Sequence, residues 1–520
     1  MKFIFIIFLG YFGFFSEFRD LKAAERINIK FEGMSIPISI NQLSKIGTYD
    51  NNSTEVIDWL ERNGLNNIFE FTKFLEFPLF KQESFTNQIL RSWMGNKIIS
   101  ELSKTIILPE DPNGVTLSNT IQLLLETKKE ISTLDILNAI PIKEIQLDLD
   151  NLLLIIASWK NELEQQQNLI GKLDLIANTK ERFQFNPQED NFEKIVTYRR
   201  GLKVKHRDNP INLEIWKSQR NNLDRNLIIF MPGLGGDISN FRWIGRELSK
   251  KGWPIIFIDH EGSNSKALKA FIKGKQALPG SKDNYLYRLK DLESVISESQ
   301  KGTFGFKRNS YILMGHSLGS VVSFLHAGTN PKKGFIKRCD QALTDFAVTN
   351  LSKLLQCQLS QIKLPVNKES KNLKAIVGFS GFGSLIWPEN NSSEINVPVL
   401  LVGGTYDLIT PLSSEQFKLF LSTSANIRSR FLIIEGASHF SPIKILNEFD
   451  QEIGEDIFKI NKSFIGVNPE DVQRLSMAII IEFLNNLEQN RSLGMAKKQN
   501  ALNLNFHILG RKEIIDSFKN

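Results

Sequence analysis

Hydrophobic and polar positions change their rhythm near residue 191. From residue 25 to about 190, apolar positions recur mostly at three- and four-residue spacing, the mark of amphipathic helices. Such stretches run from Asn66 to Phe77, Ser84 to Ile107, Ser118 to Lys128 and Thr133 to Ala139, the last halted before Pro141. Ser53 is a cap candidate for one more helix, and Asp148 to Asn168 predicts a long one with a polar face. Segment 25–190 is therefore expected to be a separate, all-helical N-terminal domain; it contains no His and no Cys.

Beyond residue 191 the pattern becomes one of short apolar runs alternating with helical periods. Ile195 to Lys205 and Ile211 to Lys217 read as leading strands, and Leu227 to Met231 as a fully apolar one. Pro254 to Ile258, Tyr311 to Met314, Leu373 to Gly378, Val397 to Val402 and Phe431 to Ile434 continue the strands, with helical patterns between them. Continuous apolar runs separated by helices predict an α/β fold, a mostly parallel sheet covered by helices on both faces, over residues 191–490. Residues 329–371 interrupt the alternation without a strand pattern, and an insertion there is expected to form a lid. Residues 491–520 read as a tail with no place in either domain.

Composition narrows the classes. A chain of 520 residues has room for two domains, and 41% hydrophobic with 23% charged residues excludes a disordered chain. The net charge of +7 comes without a run of five or six basic residues, so no nucleic-acid partner is expected. It leaves room for peripheral contact with an anionic membrane surface. Lys2, the apolar stretch Phe3 to Phe15 and the pair Ala23-Ala24 read as a signal peptide over residues 1–24. The expected location is outside the cytoplasm, periplasmic or secreted, or anchored by the same segment uncleaved. Cys339 and Cys357 are the two cysteines; in an exported chain they are a disulfide candidate, with two buried thiols as the alternative. Zinc-type spacings and nucleotide-binding glycine motifs are missing, so neither metal nor cofactor is expected.

The candidate chemistry sits in the second half. Gly315-His316-Ser317-Leu318-Gly319 is a G-x-S-x-G motif framed by the apolar run Tyr311 to Met314 and the amphipathic run Val321 to His326. Strand, tight turn and helix make a nucleophile elbow that lifts a serine hydroxyl above the sheet. A serine hydroxyl needs a base, and the base needs a third group to fix its tautomer. Asp407 follows the strand Val397 to Val402, and His439 follows the strand Phe431 to Ile434, giving the order Ser, Asp, His. Asp340 and Asp345 are rivals for the acid by order alone. His316 reads as a packing residue; His206, His260 and His326 carry no role, and His507 lies in the tail. Backbone amides of Leu318 and of Leu234, in the loop Pro232 to Asp237, are expected to form the oxyanion hole, with Gly235 competing for the second place.

These segments also carry a resemblance. Phe230 to Gly235, Asp259-His260-Glu261-Gly262-Ser263, Gly315 to Gly319 and Gly436 to Ser441 resemble the α/β-hydrolases related to platelet-activating-factor acetylhydrolase, a group often labelled predicted dienelactone hydrolase. The stretch from Ala24 to about Leu153 resembles a helical domain of unknown function found ahead of such hydrolases in cyanobacteria. The resemblance implies an α/β-hydrolase fold and a serine hydrolase cleaving lipid or short-chain acyl esters. It implies Ser317 as nucleophile, His439 as base and the Leu234 and Leu318 amides as oxyanion donors. This chain departs from the acetylhydrolases at Pro232, where they carry His, and at Leu318, where they carry an aromatic residue. Its acid also follows a later strand. Acyl transfer or amide hydrolysis on the same residues, and a partner-binding scaffold without catalysis, are the alternative readings.

Overall fold

A computed structural model describes residues 26–40, 75–76, 78–81, 93–109, 111, 114–128, 130–154, 157, 164–165, 168–169, 171–172, 194–219, 225–267, 282–344, 350, 352–364, 370–388, 395–407, 409–444 and 467–519. The expected signal segment 1–24, the helices expected at Ser53 and over most of Asn66 to Phe77, and Asp345 lie outside them. Among the described residues no helix is long and apolar enough to cross a membrane. The chain divides into two compact units, Met1–Gln82 with Leu102–Asn151, and Glu83–Glu101 with Leu152–Asn520. The division thus falls at Asn151 rather than near residue 190.

The first unit is not all helical. It holds a four-stranded sheet of β1 (Arg26–Phe31), β2 (Met34–Ile38), β4 (Ile106–Ile107) and β6 (Glu144–Asp148), ordered β2-β1-β6-β4. β3 (Pro78–Lys81) and β5 (Glu130–Ser132) form a separate antiparallel pair. The reason is visible in alternation: Ile27, Ile29 and Phe31 are buried on one face of β1, and Ile145 and Leu147 on one face of β6. That period of two is a strand signal which the broader helical pattern of the segment masks. β1 and β2 are joined by Glu32 and Gly33, both at positive φ, as a tight hairpin requires. Helices Val115–Thr127 and Thr133–Ala139 match the expected ones closely; Trp93–Thr105, which runs from the second unit's residues 83–101 into the first unit's, covers only part of the expected Ser84 to Ile107, whose last two residues form β4 instead. Thr133–Ala139 begins in a capping box between Ser132 and Asp135.

The second unit has the α/β-hydrolase fold. Ten strands form one sheet in the order β15-β16-β14-β13-β12-β11-β9-β10-β8-β7. β7 (Ile195–Leu202) and β8 (Ile211–Ser218) are the antiparallel leading hairpin. β9 (Leu227–Met231), β10 (Ile255–Asp259), β11 (Tyr311–His316), β12 (Leu373–Phe379), β13 (Val399–Gly404) and β14 (Arg430–Ile434) run parallel. Every residue of β9, β11, β13 and β14 is buried, as expected for strands covered on both faces. Helix Arg242–Lys250 contributes Ile244 and Leu248, and helix Pro469–Glu488 contributes Leu475, Ile479 and Phe483, to a core shared with Phe230, Phe257 and Val377.

One expectation about the margins changes. Residues 491–520 are part of the sheet: β15 (Ala496–Ala501) and β16 (Leu504–Leu509) add to β14 in antiparallel fashion, before helix Arg511–Lys519. β16 buries Phe506, Ile508 and Leu509, so it covers what would be an open apolar edge. The insertion is helical, with Phe335–Thr344 and Ser352–Leu359 joined by the disulfide Cys339–Cys357, whose Cα atoms are 5.3 Å apart. Buried Glu415 ties it to the sheet, accepting from Asn350 and Gln356 of the insertion and from the Gly383 and Ser384 amides after β12.

Candidate active site

Ser317 ends β11 and opens helix Leu318–His326 with φ 51° and ψ −116°. A non-glycine residue holds such a conformation only where its surroundings impose it, and here they are the two flanking glycines. A Cβ on Gly315 would lie 2.3 Å from the Gly319 carbonyl carbon, and one on Gly319 would lie 1.9 Å from the Met231 oxygen. Strand, turn and helix therefore approach each other as closely as backbone allows. The Ser317 amide donates to the Phe379 carbonyl at 2.9 Å, while the Ser317 carbonyl accepts from Ser320 and Val321 to start the helix. Ser317 is 5% exposed.

Asp407 lies just past β13, as expected, and is completely buried. Its carboxylate faces the His439 Nδ1 at 3.0 and 3.1 Å. Further donors are the Ile409 and Thr410 amides at 3.1 and 2.8 Å, the Thr410 hydroxyl at 2.8 Å and the Gln416 amide at 3.1 Å. Burial pushes this carboxyl up, but His439 and the Thr410 donors outweigh burial and hold it below the ordinary carboxylate range. Asp407 is thus ionised at neutral pH and accepts the Nδ1 proton, so in the neutral imidazole the acceptor nitrogen is Nε2. Asp340 is exposed in the insertion, and the Nδ1 of His439 is taken by Asp407.

The loop carrying His439 is held from several sides. Trp243 donates its indole N–H to the Pro442 carbonyl at 3.0 Å, and Gln473 donates to the Ser441 carbonyl at 3.1 Å. The Tyr406 amide donates to the Ala437 carbonyl at 2.9 Å, which couples this loop to that of the acid. His316 does more than pack: its Nε2 donates to the carbonyl of His439 at 2.9 Å. The two rings are 4.8 Å apart. Burial, and then the neighbouring His439, lower His316 to about 3, so it is neutral and serves as a fixed donor.

The loop after β9 lies against the serine. A Cβ on Gly233 would meet the Ser317 Cβ at 3.2 Å. Among the described residues the Leu318 and Leu234 amides have no acceptor, whereas the Gly235 amide donates to the Ser263 carbonyl at 2.8 Å and is not free to compete. Leu318 also opens a helix, whose N-terminal end favours negative charge. Arg288, fully buried on helix Lys282–Lys301, donates to the carbonyls of Pro232 and Gly233 at 2.6 and 3.0 Å. Burial lowers Arg288 to about 10, which leaves it charged at neutral pH.

The remaining histidines are structural partners of other groups. His260 and His206 each meet buried Asp291 at 2.8 Å, beside Arg207 at 2.6 Å. His326 meets the Tyr311 hydroxyl at 3.0 Å, and His507, on β16, meets Glu435 at 2.8 Å. Thr410, Gln416 and Arg288 escaped the sequence reading. Thr410 and Gln416 lie within ten residues of Asp407, the one signal that could have raised them; Arg288 has no local signal. In comparison with known families, residues 23–148, which hold most of the first unit and residues 83–101 of the second, match the family model described as "Alpha/beta hydrolase of unknown function (DUF1400)". The match supports the hydrolase assignment and lies wholly ahead of the residues that form this site.

Proposed function

We propose that the protein is a serine hydrolase that cleaves carboxylic esters through an acyl-enzyme. The observation that carries this reading is the buried Asp407–His439 pair, whose contact through Nδ1 keeps Nε2 for another partner, together with the strained Ser317 elbow. In the proposed reaction the His439 Nε2 takes the Ser317 hydroxyl proton as Oγ attacks the ester carbonyl. The Leu234 and Leu318 amides receive the oxyanion. Collapse of the tetrahedral intermediate expels the alcohol, which takes the proton back from His439. Water, activated by the same imidazole, then releases the acid and restores Ser317. The resemblance to platelet-activating-factor acetylhydrolases and the apolar N-terminal stretch favour lipid or short-chain acyl esters met outside the cytoplasm.

The test is turnover of p-nitrophenyl esters of graded chain length by the wild type and by Ser317→Ala. The expected outcome is measurable wild-type hydrolysis with a chain-length optimum and a loss of about 10⁵-fold or more in kcat for Ser317→Ala. Wild-type turnover by Ser317→Ala rejects the assignment.

A further inference from the structure

Arg288 is a buried cation whose hydrogen bonds go to no carboxylate. Among the described residues its Nε donates to the Ser263 hydroxyl at 2.8 Å, and its Nη1 to the Pro232 carbonyl at 2.6 Å. Its Nη2 donates to the Gly233 carbonyl at 3.0 Å and the Ser263 carbonyl at 3.4 Å. Asp291, one turn along the same helix, is already held by Arg207, His206 and His260. Burying a guanidinium costs free energy that carbonyl acceptors return only in part. A position filled at such a cost points to a task at the place the donors reach.

That place is the loop beside Ser317. The carbonyl of Gly233 and the amide of Leu234 belong to one planar peptide unit, in which C=O and N–H point in opposite directions. Whatever grips the oxygen aims the N–H. Arg288 grips it from one direction, and the Gly236 amide grips it at 3.2 Å within the turn. The same peptide abuts the nucleophile, since a Cβ on Gly233 would sit 3.2 Å from the Ser317 Cβ. A cation on the carbonyl also polarises the peptide and makes its N–H a stronger donor.

We propose that Arg288 is a positioning residue for the oxyanion hole: it locks the Gly233–Leu234 peptide so that the Leu234 N–H faces the space above Ser317 and is polarised before substrate arrives. Ser263 orients the guanidinium through its hydroxyl and restrains the loop through its carbonyl, which accepts from the Gly235 amide at 2.8 Å. This inference rests on the serine-hydrolase reading.

The experiment compares full-length Arg288→Met, Arg288→Lys and Ser263→Ala with the wild type. For each it reads kcat and KM on p-nitrophenyl butyrate and inhibition by an alkyl trifluoromethyl ketone, a mimic of the tetrahedral intermediate. Loss of one oxyanion donor costs about 10²–10³ in kcat, and Arg288→Met is expected to fall in that range with KM changed by less than about threefold. Ketone affinity should drop in parallel with kcat/KM, which general loosening of the fold would not produce. Arg288→Lys keeps the charge but not the fork, and is expected between Met and wild type. Should Arg288→Met not fold, Arg288→Lys and Ser263→Ala, which leave a buried cation in place, carry the test. Wild-type kcat in the folded variants, or a loss confined to KM, overturns the role of Arg288. A wild type that neither hydrolyses esters nor reacts with the ketone rejects the hydrolase reading itself.

Discussion

Asp407 concentrates more of the site's design than any other residue. Five protein donors surround it: two backbone amides, one hydroxyl, one side-chain amide and the imidazole. They fix the carboxylate's plane, and the carboxylate fixes which histidine nitrogen carries the proton. Asp407→Asn preserves shape but offers an N–H where Nδ1 needs an acceptor, so the imidazole turns to the wrong tautomer. The expected loss is about 10⁴-fold in kcat, with the thermal midpoint little changed. A steady-state kcat within tenfold of wild type would show that Asp407 is not the partner of His439 in turnover.

At the scale of elements, the elbow works because strand and helix nearly touch. Gly319→Ala places a methyl carbon 1.9 Å from the Met231 oxygen. That clash involves backbone on both sides, so the substitution is expected to destabilise the unit by about 3 kcal/mol, read as a lowered denaturation midpoint. An unchanged midpoint would mean that the elbow can open. The insertion's two helices are stapled by Cys339–Cys357, 18 residues apart. Reduction should lower stability by roughly 3 kcal/mol in the chain-entropy model. A thermal midpoint that stays constant while thiol titration finds two free sulfhydryls would contradict this. The elements that were legible in the sequence are those with local signals. Ser317, Asp407 and His439 each follow a short apolar run, and Thr133–Ala139 lies between a capping serine and a proline. What escaped depends on distant partners. β16 is a strand because β14 offers it an edge, and β4 has two residues, too few to show any period. Arg288 reads as an ordinary helix residue until the fold brings Pro232 and Gly233 to it.

Across the whole molecule, burial lowers the proton affinity of three histidines. Burial lowers His260 and His326 to about 4, and burial followed by the neighbouring His439 lowers His316 to about 3. In the unfolded chain they take up protons near pH 6.5, whereas in the folded protein they stay neutral until well below it. Their depressed values favour the native state above the unfolded pKa, and this is lost as pH falls toward the folded values. Each costs on the order of 1 kcal/mol per pH unit across that interval. Asp291 and Asp407, also depressed, act in the same direction but lower, losing their contribution as pH falls below about 4. The urea midpoint of the second unit is therefore expected to fall steadily between pH 6.5 and 4.5, and a level midpoint there would contradict the burial of these rings as neutral groups.

Whether Ser317 is an activated nucleophile is read out by peptide mapping after reaction with a fluorophosphonate. The expected result is a single phosphonyl adduct on the peptide containing Ser317, absent in Ser317→Ala and formed far more slowly in Asp407→Asn. No adduct on the folded wild type, or an adduct on another residue with Ser317 unmodified, would contradict it.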